Sequence, residues 1–168
     1  VVAHGIDRTN TGNHDSSSGV HGCLLRVGPG SAGSTGSAAG RSCTLDGQIY
    51  LIGGVGEGWN FLARVDCYDP KTDRWTRKRD LPEAASASVV QAVNGIIYAF
   101  YDRSTFAYDP KADRWSVRAR IPGGFESING MAGSLNGMIY LFGGLSRDTM
   151  CAHNLTLAYD PLEDRFTS

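Results

Sequence analysis

The chain has 168 residues, 41% of them hydrophobic and 10% aromatic, which is ordinary for one globular domain. A net charge of −1 excludes a general binder of nucleic acid or anionic membrane, since either needs a strongly basic surface. No uninterrupted apolar run approaches a membrane span and no basic-then-apolar leader follows Val1. The compartment is left open, with the cytoplasm favoured.

Residues 1–36 hold no aromatic side chain; the first in the chain is Tyr50. Runs such as Ser16-Ser17-Ser18-Gly19 and Gly28-Pro29-Gly30-Ser31 cannot bury enough apolar area to offset the entropy of ordering. A flexible arm or linker is expected over 1–36. His4, His14, His21 and Cys23 match no metal-ligand spacing. None of the four cysteines lies in a Cys-x-x-Cys pair, so no zinc or redox site is expected.

From residue 37 a pattern of two hairpins repeats three times. The first turn reads Asp46-Gly47, then Asn94-Gly95, then Asn136-Gly137, each between apolar runs. These dipeptides favour the two-residue hairpin turn that needs positive φ at both positions. The second turn reads Tyr68-Asp69-Pro70-Lys71-Thr72-Asp73-Arg74-Trp75, then Tyr108-Asp109-Pro110-Lys111-Ala112-Asp113-Arg114-Trp115, then Tyr159-Asp160-Pro161-Leu162-Glu163-Asp164-Arg165-Phe166. Asp-Pro initiates a turn. A four-residue loop then sets Tyr68 against Trp75 and Asp69 against Arg74, as an aromatic pair and a charge pair worth roughly 0.2–1 kcal/mol each. The same pairing is expected of Tyr108 with Trp115 and of Tyr159 with Phe166. Cys67 stands where the other repeats carry Ala107 and Ala158, and reads as a small buried residue.

Small residues such as Ala84-Ala85-Ser86-Ala87-Ser88 precede the hairpins and suit an innermost strand. Leu81-Pro82 and Ile121-Pro122 follow them and suit a strand exit, because Pro offers no N–H to a ladder. The basic run Arg77-Lys78-Arg79 reads as a charged outer edge.

Asp/Asn-Gly-x-Ile-Tyr, a glycine pair at Gly53-Gly54 or Gly143-Gly144, a variable loop, then Tyr-Asp-Pro and an aromatic resembles the kelch repeat. The resemblance covers about 37–168. It implies an all-β fold of kelch-type β-propeller blades, each a four-stranded antiparallel meander. About three blades are expected, over 37–82, 83–122 and 123–168. The last is expected to be truncated at Ser168, so that the propeller is incomplete and the chain a fragment. Tyr101-Asp102 replaces the glycine pair in the second repeat, and Phe166 replaces the expected tryptophan in the third.

The repeats differ mainly between the second and third strands. The Tyr98–Tyr108 interval is short, whereas Tyr50–Tyr68 and Tyr140–Tyr159 are almost twice as long. Insertions on one face of a repeat array often mark the binding face. That face carries Trp59, Phe61, Arg64, Arg103, Arg147, Asp148 and His153, and Trp and Arg are the usual interface anchors. The candidate partner-binding residues are therefore Trp59, Arg64, Arg103, Arg147 and His153. The three arginines would favour an acidic peptide or carboxylate.

The resemblance implies a protein-interaction module, with a protein or peptide, further blades or a second copy as partner. It leaves open a fragment of a sialic acid mutarotase-like enzyme or sugar-binding propeller, and a non-functional remnant. A copper oxidase would need converging Tyr, Cys and His ligands, and only His153 lies within the repeats. No catalytic residue, metal site or cofactor is expected, and a non-enzymatic role is favoured.

Overall fold

The computed structural model describes residues 40–84, 89–122, 127–128, 130–146, 149, 151–152 and 154–167. The arm expected over 1–36 lies outside the described residues, as do Arg147, Asp148 and His153.

Three four-stranded antiparallel sheets follow one another along the chain. The first blade is β1 (Arg41–Leu45), β2 (Gln48–Ile52), β3 (Val65–Asp69) and β4 (Arg74–Lys78). The second is β5 (Val89–Val93), β6 (Ile96–Tyr101), β7 (Ser104–Asp109) and β8 (Arg114–Val117). Then come β9 (Ser127–Ile128), β10 (Met131–Leu135), β11 (Met138–Phe142), β12 (Leu145–Ser146), β13 (Thr156–Asp160) and β14 (Arg165–Thr167). The third blade is β10-β11-β13-β14, and β9 pairs with β12 as a separate ribbon. Each blade is a meander in sequence order, as expected of propeller blades.

The turns follow the local chemistry. Asn94 and Gly95 have φ of 52° and 79°, and Asp46-Gly47 and Asn136-Gly137 repeat the geometry, so each first hairpin closes in two residues with positive φ. In the second hairpins Tyr68 pairs with Trp75, Tyr108 with Trp115 and Tyr159 with Phe166. Their ring centroids lie 4.9, 4.9 and 4.8 Å apart.

Asp69 does stand opposite Arg74 in register, but its carboxylate serves the turn instead of the guanidinium. Asp69 Oδ1 accepts from Lys71 N–H at 2.8 Å, and Asp109 and Asp160 do the same for Lys111 and Leu162. A local bond to backbone forms within the turn itself, whereas a cross-strand pair must order a long arginine.

Two apolar clusters sit between the blades. Tyr50, Ile52, Val65, Cys67 and Leu81 of the first blade pack on Val90, Ile97, Ala99, Phe106 and Tyr108 of the second. The opposite face of the second blade, with Val89, Tyr98 and Phe100, packs on Ile139, Leu141, Leu157 and Tyr159 of the third. Burying a side chain of this size stabilises by roughly 1.5–3 kcal/mol, so stacking holds the array together. Cys67 is 2% exposed, as its match to Ala107 and Ala158 implied. β1, β5 and β10 lie beside one another, so the first strands of the blades are innermost; residues 85–88 of the small-residue run lie outside the described residues.

The exit segments take part in the core. Leu81 and Ile121 are buried between blades, and each donates its N–H to a loop carbonyl, Leu81 to Ala63 and Ile121 to Arg103. The basic run on the outer edge is met within the chain: Arg77 pairs with Asp80 at 2.5 Å, and Arg79 Nε donates to the Asp113 carbonyl.

Candidate interaction site

The connections between second and third strands gather at one end of the blades. β9 belongs to the passage from the second blade to the third, and β12 to the long loop of the third; their pairing brings passage and loop together. The bonds of Leu81 to Ala63 and of Ile121 to Arg103 do the same in the other two blades. The two families of hairpin turns lie at the opposite end of the strands.

The loop of the first blade is itself a built hairpin. Gly53 and Gly54, with φ of 63° and 114°, turn the chain out of β2. Gly53 N–H donates to the Arg64 carbonyl and Leu62 N–H to the Gly54 carbonyl, Val55 pairs with Phe61, and Gly56 N–H donates to the Asn60 carbonyl. A single 3₁₀ turn over Glu57–Trp59 caps it, braced by Asn60 Nδ2 on the Glu57 carbonyl at 3.1 Å. Trp59 sits at this tip with φ of 62° and 88% of its surface exposed; Phe61 beside it is 51% exposed. Two large aromatics are thus held in water on a braced loop.

The second blade lacks the glycine pair because it lacks the loop. Tyr101 pairs directly with Ser104, and Asp102 with φ of 53° makes the tight turn. Arg103 is half-buried there. The third blade regains Gly143-Gly144, with φ of 51° and 113°, and its long loop.

Arg64 has a partner that the sequence reading did not foresee. Its Nε and Nη2 grip the two oxygens of Asp66 at 2.5 and 3.0 Å, a planar fork of the kind arginine makes with carboxylates. Asp66 is buried and stands where Phe106 and Leu157 stand in the other blades. That departure from an apolar position was the available signal. The pairing raises the Arg64 pKa above its ordinary value and keeps the guanidinium charged.

Among the described residues no group of three His, Cys, Asp or Glu side chains converges as a metal site. Burial pushes the Cys43 thiol up to about 12, with the neighbouring Cys67 adding to the effect, so this thiol stays protonated and unreactive. Tyr50, Tyr108 and Tyr159 are likewise pushed up, first by burial.

Comparison with known proteins agrees with this architecture. Residues 39–82 match the family model described as the Kelch motif. The chain is 35% identical over 54 residues to beta-scruin of Limulus polyphemus, a match covering 32% of this chain and 6% of that protein. It is 32% identical over 62 residues to the F-box/kelch-repeat protein At1g67480 of Arabidopsis thaliana, covering 37% of this chain and 16% of that one. The matched stretch is thus a small part of either relative. Among solved structures, the one titled "Structure of YjhT" superposes with a TM-score of 0.66 at 16% identity, over 78% of this chain and 51% of that one. That likeness is one of fold.

Proposed function

We propose, for a chain that belongs to the kelch-repeat family, that it is a protein-interaction module whose partner docks on the face carrying the long loops. Kelch repeats generally mediate protein interaction; the choice of face is our own reading. The observation that carries it is Trp59, 88% exposed at the tip of a hydrogen-bonded hairpin, with Phe61 beside it. Ordering a loop on binding costs free energy, and a loop already braced has less left to lose. Aromatic anchors also bring large contact area with few rotatable bonds.

The arginines on this face give the preference for an acidic segment. Arg64 is committed to Asp66, so a carboxylate arriving there joins an existing ion pair. Arg103 on the short turn, with Arg147 and His153 outside the described residues, supplies the rest of the proposed contact.

The test compares proteins captured by the immobilised full chain with those captured by Trp59→Ala, Phe61→Ala and Arg103→Ala. Lys71→Ala and Lys111→Ala, on the opposite end of the blades, are the matched controls. A partner retained by the lysine variants and weakened at least tenfold by Trp59→Ala, the loss of one interface anchor, supports the reading. A partner lost with the lysines and retained by Trp59→Ala and Phe61→Ala places the interface on the hairpin face instead.

A further inference from the structure

The outer rim of the array concentrates positive charge. Residues 74–82 and 114–122 are the outer strands β4 and β8 with their exit segments. They hold seven of the sixteen lysines and arginines of the chain, and of its seventeen acidic residues only Asp80. In a chain of net charge −1 this is a marked separation of sign. β4 and β8 are the last strands of their meanders, at the far edge from the inner strands, so the rim is open between two stacked blades.

Where the two segments meet they form a cleft of about 740 Å³, within the size range of ligand pockets. Arg77, Lys78, Arg79 and Pro82 line it from the first blade, and Arg114 and Trp115 from the second. The four cations there meet two carboxylates, Asp80 and Asp113, and both are engaged. Asp80 accepts from Arg77 at 2.5 Å, and Asp113 accepts from Tyr108 O–H and Arg79 N–H. Asp109, opposite Arg114 in register, accepts instead from the N–H groups of Lys111 and Ala112. Lys78, Arg79 and Arg114 form no ion pair among the described residues. Arg79 is nevertheless fixed. Its N–H donates to Asp113 Oδ1 at 2.9 Å, its carbonyl accepts Trp115 Nε1 at 2.9 Å, and its Nε donates to the Asp113 carbonyl at 3.1 Å. An exposed guanidinium is thus held in one place by its neighbours.

We propose that this cleft is a docking site for an acidic, extended segment of a partner protein, whose carboxylates meet Lys78, Arg79 and Arg114. A cleft with an excess of one sign focuses the field and favours the opposite charge. A guanidinium already ordered has less freedom to lose on binding, and its planar fork suits a carboxylate. The spread of the cations selects a run of carboxylates over one compact dianion. Arg77, Lys78 and Arg79 follow one strand end, Arg114 stands on the next blade, and Arg118 and Arg120 flank Ala119 at the following joint. Pro82 and Trp115 add apolar contact between the charges. Nucleic acid needs such charge over a wide surface, which a chain of net charge −1 does not offer. The site lies at the rim and does not rest on the assignment of the loop end to a partner.

The probe is a hexaglutamate peptide, capped at both ends and titrated calorimetrically into the full chain at low ionic strength. Arg79→Gln and Arg114→Gln are each expected to weaken binding roughly fivefold, the upper end for an exposed ion pair. Arg114 makes no side-chain bond among the described residues, so its variant tests the site even if Arg79→Gln loosens the joint. Arg74→Gln removes the same charge from the same edge but outside the cleft lining, and should leave the affinity unchanged. Equal losses for all three variants would reduce the binding to general charge attraction and overturn the proposal, as would no binding at all. Losses on Arg103→Gln with none on Arg79→Gln and Arg114→Gln would put the peptide on the loop end, which overturns this site and leaves the loop-face reading standing. A short oligothymidylate that binds as tightly as the peptide, with the same losses, would assign the cleft to nucleic acid, against the proposal.

Discussion

The residue that links local turn to global stack is the second aspartate of the repeated octapeptide. Asp73, Asp113 and Asp164 all sit at positive φ, 52°, 47° and 49°, a conformation that Asp and Asn tolerate better than most side chains. The tyrosine of the same hairpin donates to each, and in the second and third blades the preceding blade adds a backbone N–H. Asp113→Asn should therefore lower stability more than Asp73→Asn, which holds no neighbouring backbone among the described residues; denaturant melts giving equal losses would remove the inter-blade role. The Asp113 pKa is lowered by the Tyr108 O–H first and the Arg79 N–H second. A depressed carboxylate stabilises above its unfolded value, about 3.9, and that contribution is lost as pH falls through the lower folded value. The gap in Tm between the parent chain and Asp113→Asn should hold at neutral pH and close below about pH 4; a gap that widens in acid would contradict this. Among the described cysteines Cys151 is exposed, Cys43 half-buried and Cys67 buried. Alkylation of the native chain near pH 8, read by mass spectrometry, should modify Cys151 first and spare the other two until denaturant is added.

At the scale of the element, the turns carry the fold. Gly95 has φ of 79° and open space around a built Cβ, so Gly95→Ala meets no clash and suffers only backbone strain. It should cost about 1 kcal/mol by thermal melt, and a neutral result would mean that this turn does not set the register. These turns were legible in the sequence because each is a dipeptide with one strong conformational preference. So were the Tyr–Trp and Tyr–Phe rungs, because a loop of fixed length dictates what faces what. The charge pair of Asp69 with Arg74 was not, since facing positions do not decide whether a carboxylate bonds to backbone or to side chain. Nor was the fork between Arg64 and Asp66, which joins residues on the same side of one strand end. In the sequence the glycine pair marks a bend, and its loss in the second repeat a departure from the pattern. Only the structure ties that loss to the turn at Asp102, where there is no loop to launch.

At the scale of the whole molecule, a repeat array is as stable as its stacking, and the second blade is the one flanked on both faces among the described residues. Trp115 lies against the first cluster and donates to Arg79, so Trp115→Ala combines lost packing with a lost bond. A loss of roughly 3–5 kcal/mol is expected, larger than for Phe166→Ala, and equal losses would show the third blade to be as firmly held as the second. Blade count and order were readable because the octapeptide recurs. What the repeats share explains the fold, and what they do not share is the basis of the proposed binding face: a braced loop ending in Trp59 over a blade array whose other end is closed by near-identical turns. The most direct test is hydrogen exchange of the chain alone and in complex with its captured partner. Protection gained across residues 54–64, with the turns at 69–74 and 109–114 unchanged, is the predicted result. Protection gained at those turns, with 54–64 unchanged, would contradict the assignment of the binding face.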